Sequence, residues 1–203
     1  MDWLVFIGFV FALLFIFIMK ALQVYRTYQG KIFKYLYTGF LEYYVKYRYR
    51  KDLSVSSWLN HKLGFHRILY NSYLNEERKV IHDFVTVFHE KGICVFCVIP
   101  SDGVITGTNK DKHWIVSRNS KNYRILNPLP TIESHVKFII EQFPDVEKVD
   151  RCILFNEQAS IDMLKVDIHC AGYHELLDIL LAQDYLVNKE AILKTFAIWK
   201  KRK

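Results

Sequence analysis

The chain has 203 residues, 51% of them hydrophobic and 24% charged, so it suits one globular domain with an appendage and is not globally disordered. Its 8 Gly, 4 Pro and 4 Cys exclude collagen-like, low-complexity and disulfide-scaffold proteins. The net charge of +7 is typical of nucleic-acid binding, but it lies in one segment, because residues 20–51 carry eight basic side chains against Glu42 alone. Composition therefore indicates no activity by itself.

An uncharged and strongly apolar run opens the sequence. Residues 3–19 would span roughly 25 Å as an α-helix, and the continuation to residue 24 is long enough to cross a bilayer because Lys20 can extend its amine to the interface. A cleavable signal peptide is disfavoured, since the run has neither a basic leader nor a small-residue cleavage site. We therefore predict a single transmembrane anchor over residues 1–24. The basic residues that follow predict an outside N-terminus and a cytoplasmic domain.

Residues 25–51, which we call the collar, combine most of the basic excess with 8 of the 13 Tyr. Apolar side chains recur at helical spacing between Phe33 and Tyr44, and this pattern predicts one amphipathic helix. Such a helix would lie on the bilayer, with basic groups on anionic lipid, or would pack on the soluble domain or on a second copy. Single-stranded nucleic acid is a further candidate partner. The basic residues assigned to the membrane surface are Lys31, Lys34, Lys46, Arg48, Arg50 and Lys51.

The remaining sequence alternates predicted strands with predicted helices, which indicates an α/β domain over residues 52–182 with a mixed sheet flanked by helices. The apolar run ICVFCVI at residues 93–99 is expected to be the central strand. Further strands are predicted over residues 67–74, 80–88, 104–106, 113–117, 123–126 and 151–155, with a polar turn at 75–79. Helices are predicted over residues 55–63, 132–143, 174–182 and 189–200, with Thr131 capping the second. The last helix lies in a basic segment, residues 183–203, that would dock on the domain or touch anionic lipid.

Short motifs follow one another along this domain in an order typical of a known family. They are RILYNSYL at residues 67–74, His82-Asp83-Phe84, GICVF at residues 92–96, Gly103-x-Ile105-x-Gly107 with Trp114, Asn127-Pro128 with His135-Val136, and Ile153-Leu154-Phe155 with Leu176-Leu177. By this order and spacing the sequence resembles the nuclease-related domain (NERD) family, a branch of the PD-(D/E)xK nucleases, over residues 55–182. The resemblance implies a restriction-endonuclease-like fold.

The departures from that family decide what the resemblance implies for function. Active members carry a Glu-x-Lys pair on the central strand, where the Glu holds Mg²⁺ with an Asp of the preceding strand and the Lys orients the attacking water. That Asp matches Asp83, but the pair falls on Cys97 and Ile99, which offer Mg²⁺ no hard oxygen ligand. The helix that normally supplies a further acidic residue reads SVSSW at residues 54–58. The resemblance therefore implies a vestigial site with no metal or cofactor.

Three functions remain open. The favoured hypothesis is a membrane-anchored binding or scaffolding module for a protein partner or nucleic acid, without nuclease activity. A second is an active Mg²⁺-dependent nuclease with relocated ligands, for which the candidates are Asp83, Glu76, Glu77, Glu90 and Asp102. A third is a structural subunit of a membrane complex, which would show a large exposed apolar patch or an anchor that packs with other helices.

Other groups of reactive residues are interpreted structurally. Cys94 and Cys97 lie three apart on a predicted strand, so their thiols are expected on opposite faces, buried and unable to share zinc. The neighbours His82 and Asp83 are expected on opposite faces for the same reason, which argues against an acid–base pair. His135 is expected to anchor a loop. Metal binding is also not expected of the cluster formed by His169, Cys170 and His174.

Five basic residues line a predicted β-hairpin. A solvated surface is the favoured interpretation because Asp111 lies among them, and contact with nucleic acid is the alternative. These residues are Lys110, Lys112, Arg118, Lys121 and Arg124.

Overall fold

A computed structural model describes residues 2–74, 80–142, 146, 148–184 and 187–200. Its helices are α1 (Asp2–Gln29), α2 (Phe33–Leu36), α3 (Phe40–Val45), α4 (Ser57–Leu63), α5 (Leu129–Gln142), α6 (Leu176–Leu181) and α7 (Lys189–Lys200), with a π-helical turn at Lys46–Arg50 and a 3₁₀ turn at Tyr173–Glu175. Its strands are β1 (His66–Leu74), β2 (Val80–His89), β3 (Gly92–Ile99), β4 (Gly103–Thr108), β5 (His113–Arg118), β6 (Lys121–Leu126), β7 (Asp150–Phe155), β8 (Ala159–Ser160), β9 (Leu164–Lys165) and β10 (His169–Gly172). The prediction of an α/β fold with a mixed sheet is confirmed.

The larger of two mixed sheets has the strand order β1-β2-β3-β7-β10, and β3 is its central strand, as the apolar run predicted. Strands β1, β2 and β3 form an antiparallel meander, whereas β7 and β10 continue the sheet in parallel. Every residue of β3 is buried, because both faces of this sheet are covered. Side chains alternate along each strand, so the sheet contributes to two separate hydrophobic cores.

The two cores lie on opposite faces of the larger sheet. The first core lies under the collar and combines sheet residues such as Val85, Phe96 and Val98 with α4 and α6. The second core lies against the smaller sheet, whose order is β6-β5-β4-β8 with β9 beside β4, and it also receives α5 and α7. Trp114 of β5 is fully buried there.

The collar is not the single amphipathic helix that its periodicity predicted. Helix α1 continues to Gln29, and α2, α3 and the π-helical turn follow as separate short elements. The apolar stripe is divided accordingly, because Leu36 is fully buried in the first core whereas Leu41 is 74% exposed. For the buried part of the stripe, packing on the soluble domain is the alternative that the structure confirms.

Two hydrogen bonds explain the break between α2 and α3. The Tyr37 backbone is extended, and its hydroxyl donates to the Leu53 carbonyl at 2.6 Å. The Glu42 carboxylate accepts the Thr38 backbone N–H at 2.9 Å and so satisfies a free donor ahead of α3. The same carboxylate accepts the backbone N–H of Ser57, the first residue of α4, at 2.6 Å. Glu42 therefore ties the collar to the domain.

Helix α5 begins earlier than predicted. The Asn127 side-chain oxygen accepts the Leu129 backbone N–H at 3.0 Å, and Pro130 fits the first turn because a proline there loses no helical hydrogen bond. The prediction that Thr131 caps this helix is therefore wrong. The predicted last residue, Phe143, and the predicted turn at 75–79 lie outside the described residues.

The C-terminal segment is part of the domain. Gln183 is buried and donates to the Asp150 carboxylate at 2.9 Å, and it also hydrogen-bonds to His89. Helix α7 packs Ile192 and Phe196 against the second core, so docking on the domain is confirmed for this helix. The side chain of Trp199 and residues 201–203 of the basic tail lie outside the described part of the chain.

Candidate functional site

A cleft opens between the collar and the first face of the larger sheet. It encloses about 420 Å³, and we call it the Asp83 cleft. Residues 31–33 of the collar form one wall, and residues 70–72 of β1 and 83–85 of β2 form the other. Val98 and Pro100 complete the lining at the end of β3. The lining is therefore largely apolar, with a few converging polar groups, as is typical of ligand sites.

Asp83 is the carboxylate of this cleft, and neighbouring elements position it. Ser72 lies directly opposite Asp83 in the β1–β2 register, and its hydroxyl donates to the carboxylate at 2.6 Å. The Lys31 ammonium lies 3.4 Å from the other carboxylate oxygen. Both side chains are partly exposed, 47% for Lys31 and 31% for Asp83, so this ion pair is worth about 0–1 kcal/mol. The pair neutralises charge in the cleft, and it contributes little energy to holding the collar in place.

A second ion pair joins the collar to the end of β7. Lys34 lies 3.2 Å from the carboxylate of Glu157, and the Asn156 backbone N–H donates to the Ile99 carbonyl, so the ends of β7 and β3 are adjacent. Among the residues that the structure describes, no group of three or more His, Cys, Asp or Glu side chains could hold a metal ion. Lys31 and Lys34 of the collar therefore each face a carboxylate near the end of β3.

The positions carried over from the resembled nucleases do not meet. In the β2–β3 register Asp83 lies opposite Val98, whereas Cys97 lies opposite Phe84. Paired residues share a face, so Asp83 points into the first face and Cys97 and Ile99 point into the second core. The expected grouping of Asp83 with Cys97 and Ile99 is therefore not found, because the carried-over register is offset by one residue.

Buried phenols lie under the collar beside the cleft. The hydroxyls of Tyr37 and Tyr70 lie 2.9 Å apart, and burial raises the pKa of both groups. Tyr173 is also buried, and its pKa is raised by burial and by the nearby charge of Asp83. These phenols stay neutral at physiological pH. The charged groups that line the cleft are therefore Lys31 and Asp83.

Cys94 and Cys97 are buried thiols, as predicted. Cys94 belongs to the first core and Cys97 to the second, so the two cannot share a metal ion. Burial raises the pKa of both, and it raises the pKa of Cys170 to about 12. A thiol with such a pKa is a poor nucleophile and a poor metal ligand.

The histidines beside Asp83 lie on the other face of the sheet. His82 hydrogen-bonds through Nε2 to the Leu126 carbonyl at 3.0 Å, so the prediction that His82 and Asp83 face opposite ways is confirmed. His135 stacks on Phe84 with ring centroids 5.0 Å apart, and its Nε2 lies 3.3 Å from the Thr86 hydroxyl. It therefore anchors α5 to the sheet, where the sequence predicted that it would anchor a loop.

The other carboxylates proposed as relocated ligands do not join Asp83. Asp102 pairs with Arg118 at 2.8 Å on the smaller sheet. Glu90 lies in the turn after β2, seven residues from Asp83, which is about 23 Å along an extended strand. Glu76 and Glu77 lie outside the described residues.

The five basic residues of the predicted hairpin do not form one surface. Arg118 pairs with Lys121 in the β5–β6 register, and both share the face of Trp114 by strand alternation. Arg124 lies opposite Ile115 on the other face. Lys112 lies at the far end of β5, six residues or about 20 Å from Arg118, and Lys110 lies two residues further along the chain. A continuous nucleic-acid groove along these residues is not favoured.

Comparison with models of protein families, with characterised proteins and with solved structures finds no match to this chain. The NERD resemblance therefore rests on its motifs alone. The segment Val5–Gln29 of α1 is long and apolar enough to cross a membrane, and its most apolar stretch is not buried against the domain. Its orientation stays a prediction.

Sequence reasoning missed two members of the cleft. Ser72 could not be found from pairing alone, because a regular ladder from the Leu74–Val80 pair would place Ser72 opposite His82, whereas the irregularity between Tyr73 and Leu74 places it opposite Asp83. Lys31 was assigned to the membrane surface, since nothing in a basic, Tyr-rich segment distinguishes a lysine that reaches a carboxylate 52 residues away.

Proposed function

We propose that this protein is a membrane-anchored binding module on a NERD-like, restriction-endonuclease-like fold that does not hydrolyse nucleic acid. Helix α1 is the anchor, the N-terminus lies outside, and the domain lies in the cytoplasm. The Asp83 cleft is the binding site for a protein partner. No resident metal or cofactor takes part.

The state of Asp83 carries this proposal. A Mg²⁺ site for phosphodiester hydrolysis combines two or more carboxylates with a lysine that is free to act on water. In the cleft, Asp83 is instead neutralised by Lys31 and hydrogen-bonded to Ser72. On β3 the positions that share its face are Cys94, Phe96 and Val98. Phe96 and Val98 have no ligand atoms in their side chains, and the buried Cys94 thiol lies opposite Val87, four residues from Asp83 along β2.

The strand arrangement supports the fold part of the proposal. An antiparallel three-strand meander continues into parallel strands, with helices on both faces of the sheet. The motif order from residue 67 to residue 177 adds the NERD resemblance to this architecture.

The lining of the cleft favours a protein partner over nucleic acid. Phe33, Val85 and Val98 provide an apolar surface, and Lys31, the lysine that lines the cleft, is already paired with Asp83 and so offers little attraction to a phosphate group. A peptide side chain with an apolar body and a polar tip matches this combination.

The test uses the full chain in phosphatidylcholine nanodiscs. Mg²⁺ and Mn²⁺ binding is measured by calorimetry, and plasmid cleavage is measured on the same sample. Asp83→Asn is compared with Asp102→Asn, a matched control in which the lost carboxylate also faces a basic side chain. We expect neither metal binding nor cleavage in the wild type or in either variant. Metal binding and cleavage that disappear only in Asp83→Asn would establish the nuclease alternative.

A photo-crosslinking residue tests the binding surface directly. It is placed at Ser72, which lines the cleft on the face of Asp83, and separately at Ser117 on the smaller sheet. In native membranes we expect a discrete protein adduct from residue 72 that competes with excess unlabelled protein, and no such adduct from residue 117. The same adducts from both positions would contradict a specific site in the cleft.

A further inference from the structure

Six of the seven basic residues of the collar fall into two sets of three, and the seventh, Arg26, is exposed on α1. Lys31, Lys34 and Lys46 face carboxylates of this chain, at 3.4 Å from Asp83, 3.2 Å from Glu157 and 3.7 Å from Glu42. The second set is Arg48, Arg50 and Lys51, and all three are exposed. Within the described part of the chain no ion pair joins these three to a carboxylate.

The chain returns toward the membrane end of α1 before it reaches the second set. Phe40 at the start of α3 packs on Tyr25 with ring centroids 5.1 Å apart. One turn later, Tyr44 packs edge-on against Phe17 at 6.0 Å. Helix α3 therefore packs across the C-terminal part of α1, and its last turn reaches the level of residue 17 through Tyr44 while Tyr43 contacts Tyr28 at 5.4 Å.

That level is the end of the uncharged run. Phe17 precedes Lys20, the first charged residue after the run, by three residues or about 4.5 Å of helix. The π-helical turn Lys46–Arg50 continues directly from α3, since Val45 is itself helical. Residues 47–51, which we call the basic turn, begin three residues after Tyr44 and so start close to the end of the apolar run.

The aromatic residues of the basic turn are exposed beside its basic ones. Tyr49 is 64% exposed, and Tyr47 is also exposed, although four of the eight tyrosines of the collar are packed in the first core. Tyrosine favours the headgroup region of a bilayer because its ring is apolar and its hydroxyl is polar. Arginine and lysine there are attracted by anionic lipid.

We propose that the basic turn is a second membrane contact, in which Arg48, Arg50 and Lys51 bind the headgroups of anionic phospholipids while Tyr47 and Tyr49 lie at headgroup depth. This inference rests on the proposed membrane anchorage of α1. It does not depend on the Asp83 cleft or on nuclease activity. The contact fixes the orientation of the domain on the bilayer, because the turn is continuous with α3 and α3 packs on α1.

The test measures contact between labelled positions and lipid in the full chain. An environment-sensitive fluorophore is attached at Tyr49→Cys in a Cys170→Ser background, since the other three cysteines are buried. The protein is placed in nanodiscs of phosphatidylcholine that carry a minor fraction of spin-labelled phosphatidylcholine or of spin-labelled phosphatidylserine. Phe11→Cys in α1 reports insertion of the anchor, and Tyr123→Cys on β6, 53% exposed, reports a position away from the membrane.

We expect the label at residue 49 to be quenched by both lipids and the label at residue 123 by neither. Spin-labelled phosphatidylserine should quench the label at residue 49 more strongly than spin-labelled phosphatidylcholine does. The difference should correspond to a local enrichment of phosphatidylserine of roughly fivefold or more. Arg48→Gln/Arg50→Gln/Lys51→Gln should remove this preference and leave the quenching by phosphatidylcholine. The matched triple variant Lys31→Gln/Lys34→Gln/Lys46→Gln should keep the preference. Lys110→Gln/Lys112→Gln/Lys121→Gln is a second control that changes no collar contact.

The outcomes test separately whether residue 49 contacts lipid and whether that contact prefers anionic headgroups. A label at residue 49 that no lipid quenches, in protein whose residue 11 is quenched, overturns the second contact and leaves the anchor intact. Quenching without a phosphatidylserine preference overturns the recognition of anionic headgroups. If residue 11 is not quenched, the anchorage fails and this inference fails with it, whereas the metal and cleavage tests of the cleft are unaffected.

Discussion

Burial sets the protonation of several histidines in this fold. His66, His82 and His89 each hydrogen-bond to a neighbouring oxygen, yet burial lowers the pKa of all three. The pKa of His135 is lowered to about 4 by burial alone. At neutral pH these rings are uncharged, and they fill space between the sheet and its covering elements. Their role is structural, and protonating them would lower the free energy of unfolding.

His135 gives a prediction about acid stability. Its pKa is about 4 in the folded state against about 6.5 unfolded, so the unfolded chain takes up the proton first as pH falls. The stability present above about pH 6.5 is therefore lost between about pH 6.5 and about pH 4, by on the order of 3 kcal/mol for this residue. We expect His135→Gln to reduce the fall in the melting temperature over this range, measured by near-ultraviolet circular dichroism of the full chain in detergent.

The matched control is His113→Gln, which changes an exposed histidine on the smaller sheet. It should leave the wild-type pH dependence in place. His66, His82 and His89 remain in both variants, so a residual acid sensitivity is expected in each. An unchanged slope in His135→Gln would show that His135 is charged in the folded state.

Residue roles could be predicted from the sequence where backbone geometry alone decides them. The opposite orientation of Cys94 and Cys97, and of His82 and Asp83, follows from strand alternation. The Lys31–Asp83 pair could not be predicted, because it depends on how the collar folds back over the sheet.

The collar shows the same limit for whole elements. Apolar side chains of the collar recur with the period of 3.6 residues that predicts one helix. The structure has two helices instead, α2 and α3, separated by the extended Tyr37. Periodicity records which side chains are apolar and not where the axis bends. The longer strands of both sheets were predicted within a few residues, since alternation and apolar runs mark them. Strands β8 and β9, of two residues each, are too short for any periodic signal.

The bend makes a prediction about two leucines of one segment. Leu36 is fully buried in the first core, whereas Leu41 is 74% exposed, five residues later. Leu36→Ala should lower the free energy of unfolding by about 2–5 kcal/mol, because it removes a buried side chain and leaves a cavity. Leu41→Ala should change it by less than about 0.5 kcal/mol.

Chemical denaturation of the full chain in detergent, followed by tryptophan fluorescence, measures both variants. A continuous amphipathic helix would place both leucines on its apolar stripe and would make the two substitutions similar in effect. Equal losses of stability would therefore contradict the break at Tyr37.

At the scale of the whole molecule, the collar completes the domain. Tyr28, Ile32 and Leu36 lie in the same core as Val98 of the central strand and Leu180 of α6. A boundary between a juxtamembrane segment and a domain at residue 52 has no counterpart in the packing. The cleft, the first core and the packing of α3 on α1 all depend on the collar.

Removal of the collar should therefore unfold the domain. Each buried collar side chain contributes about 1.5–3 kcal/mol, so the loss of several approaches the 5–15 kcal/mol by which a typical domain is stable. We expect residues 52–203 alone to bind a hydrophobic dye, to aggregate on size-exclusion chromatography and to lack a cooperative melting transition. Residues 21–203, which keep the collar and lose most of the apolar run, should melt cooperatively.

The comparison of these two fragments decides whether the collar belongs to the fold or to the membrane. In the shorter fragment the uncovered sheet face carries Val85, Phe96 and Val98. These apolar side chains stabilise the fold only when they are buried. If residues 52–203 melt at the same temperature as residues 21–203, the collar contributes nothing to the folded state. Its aromatic residues would then be held by lipid, and the Asp83 cleft would lose the wall formed by residues 31–33.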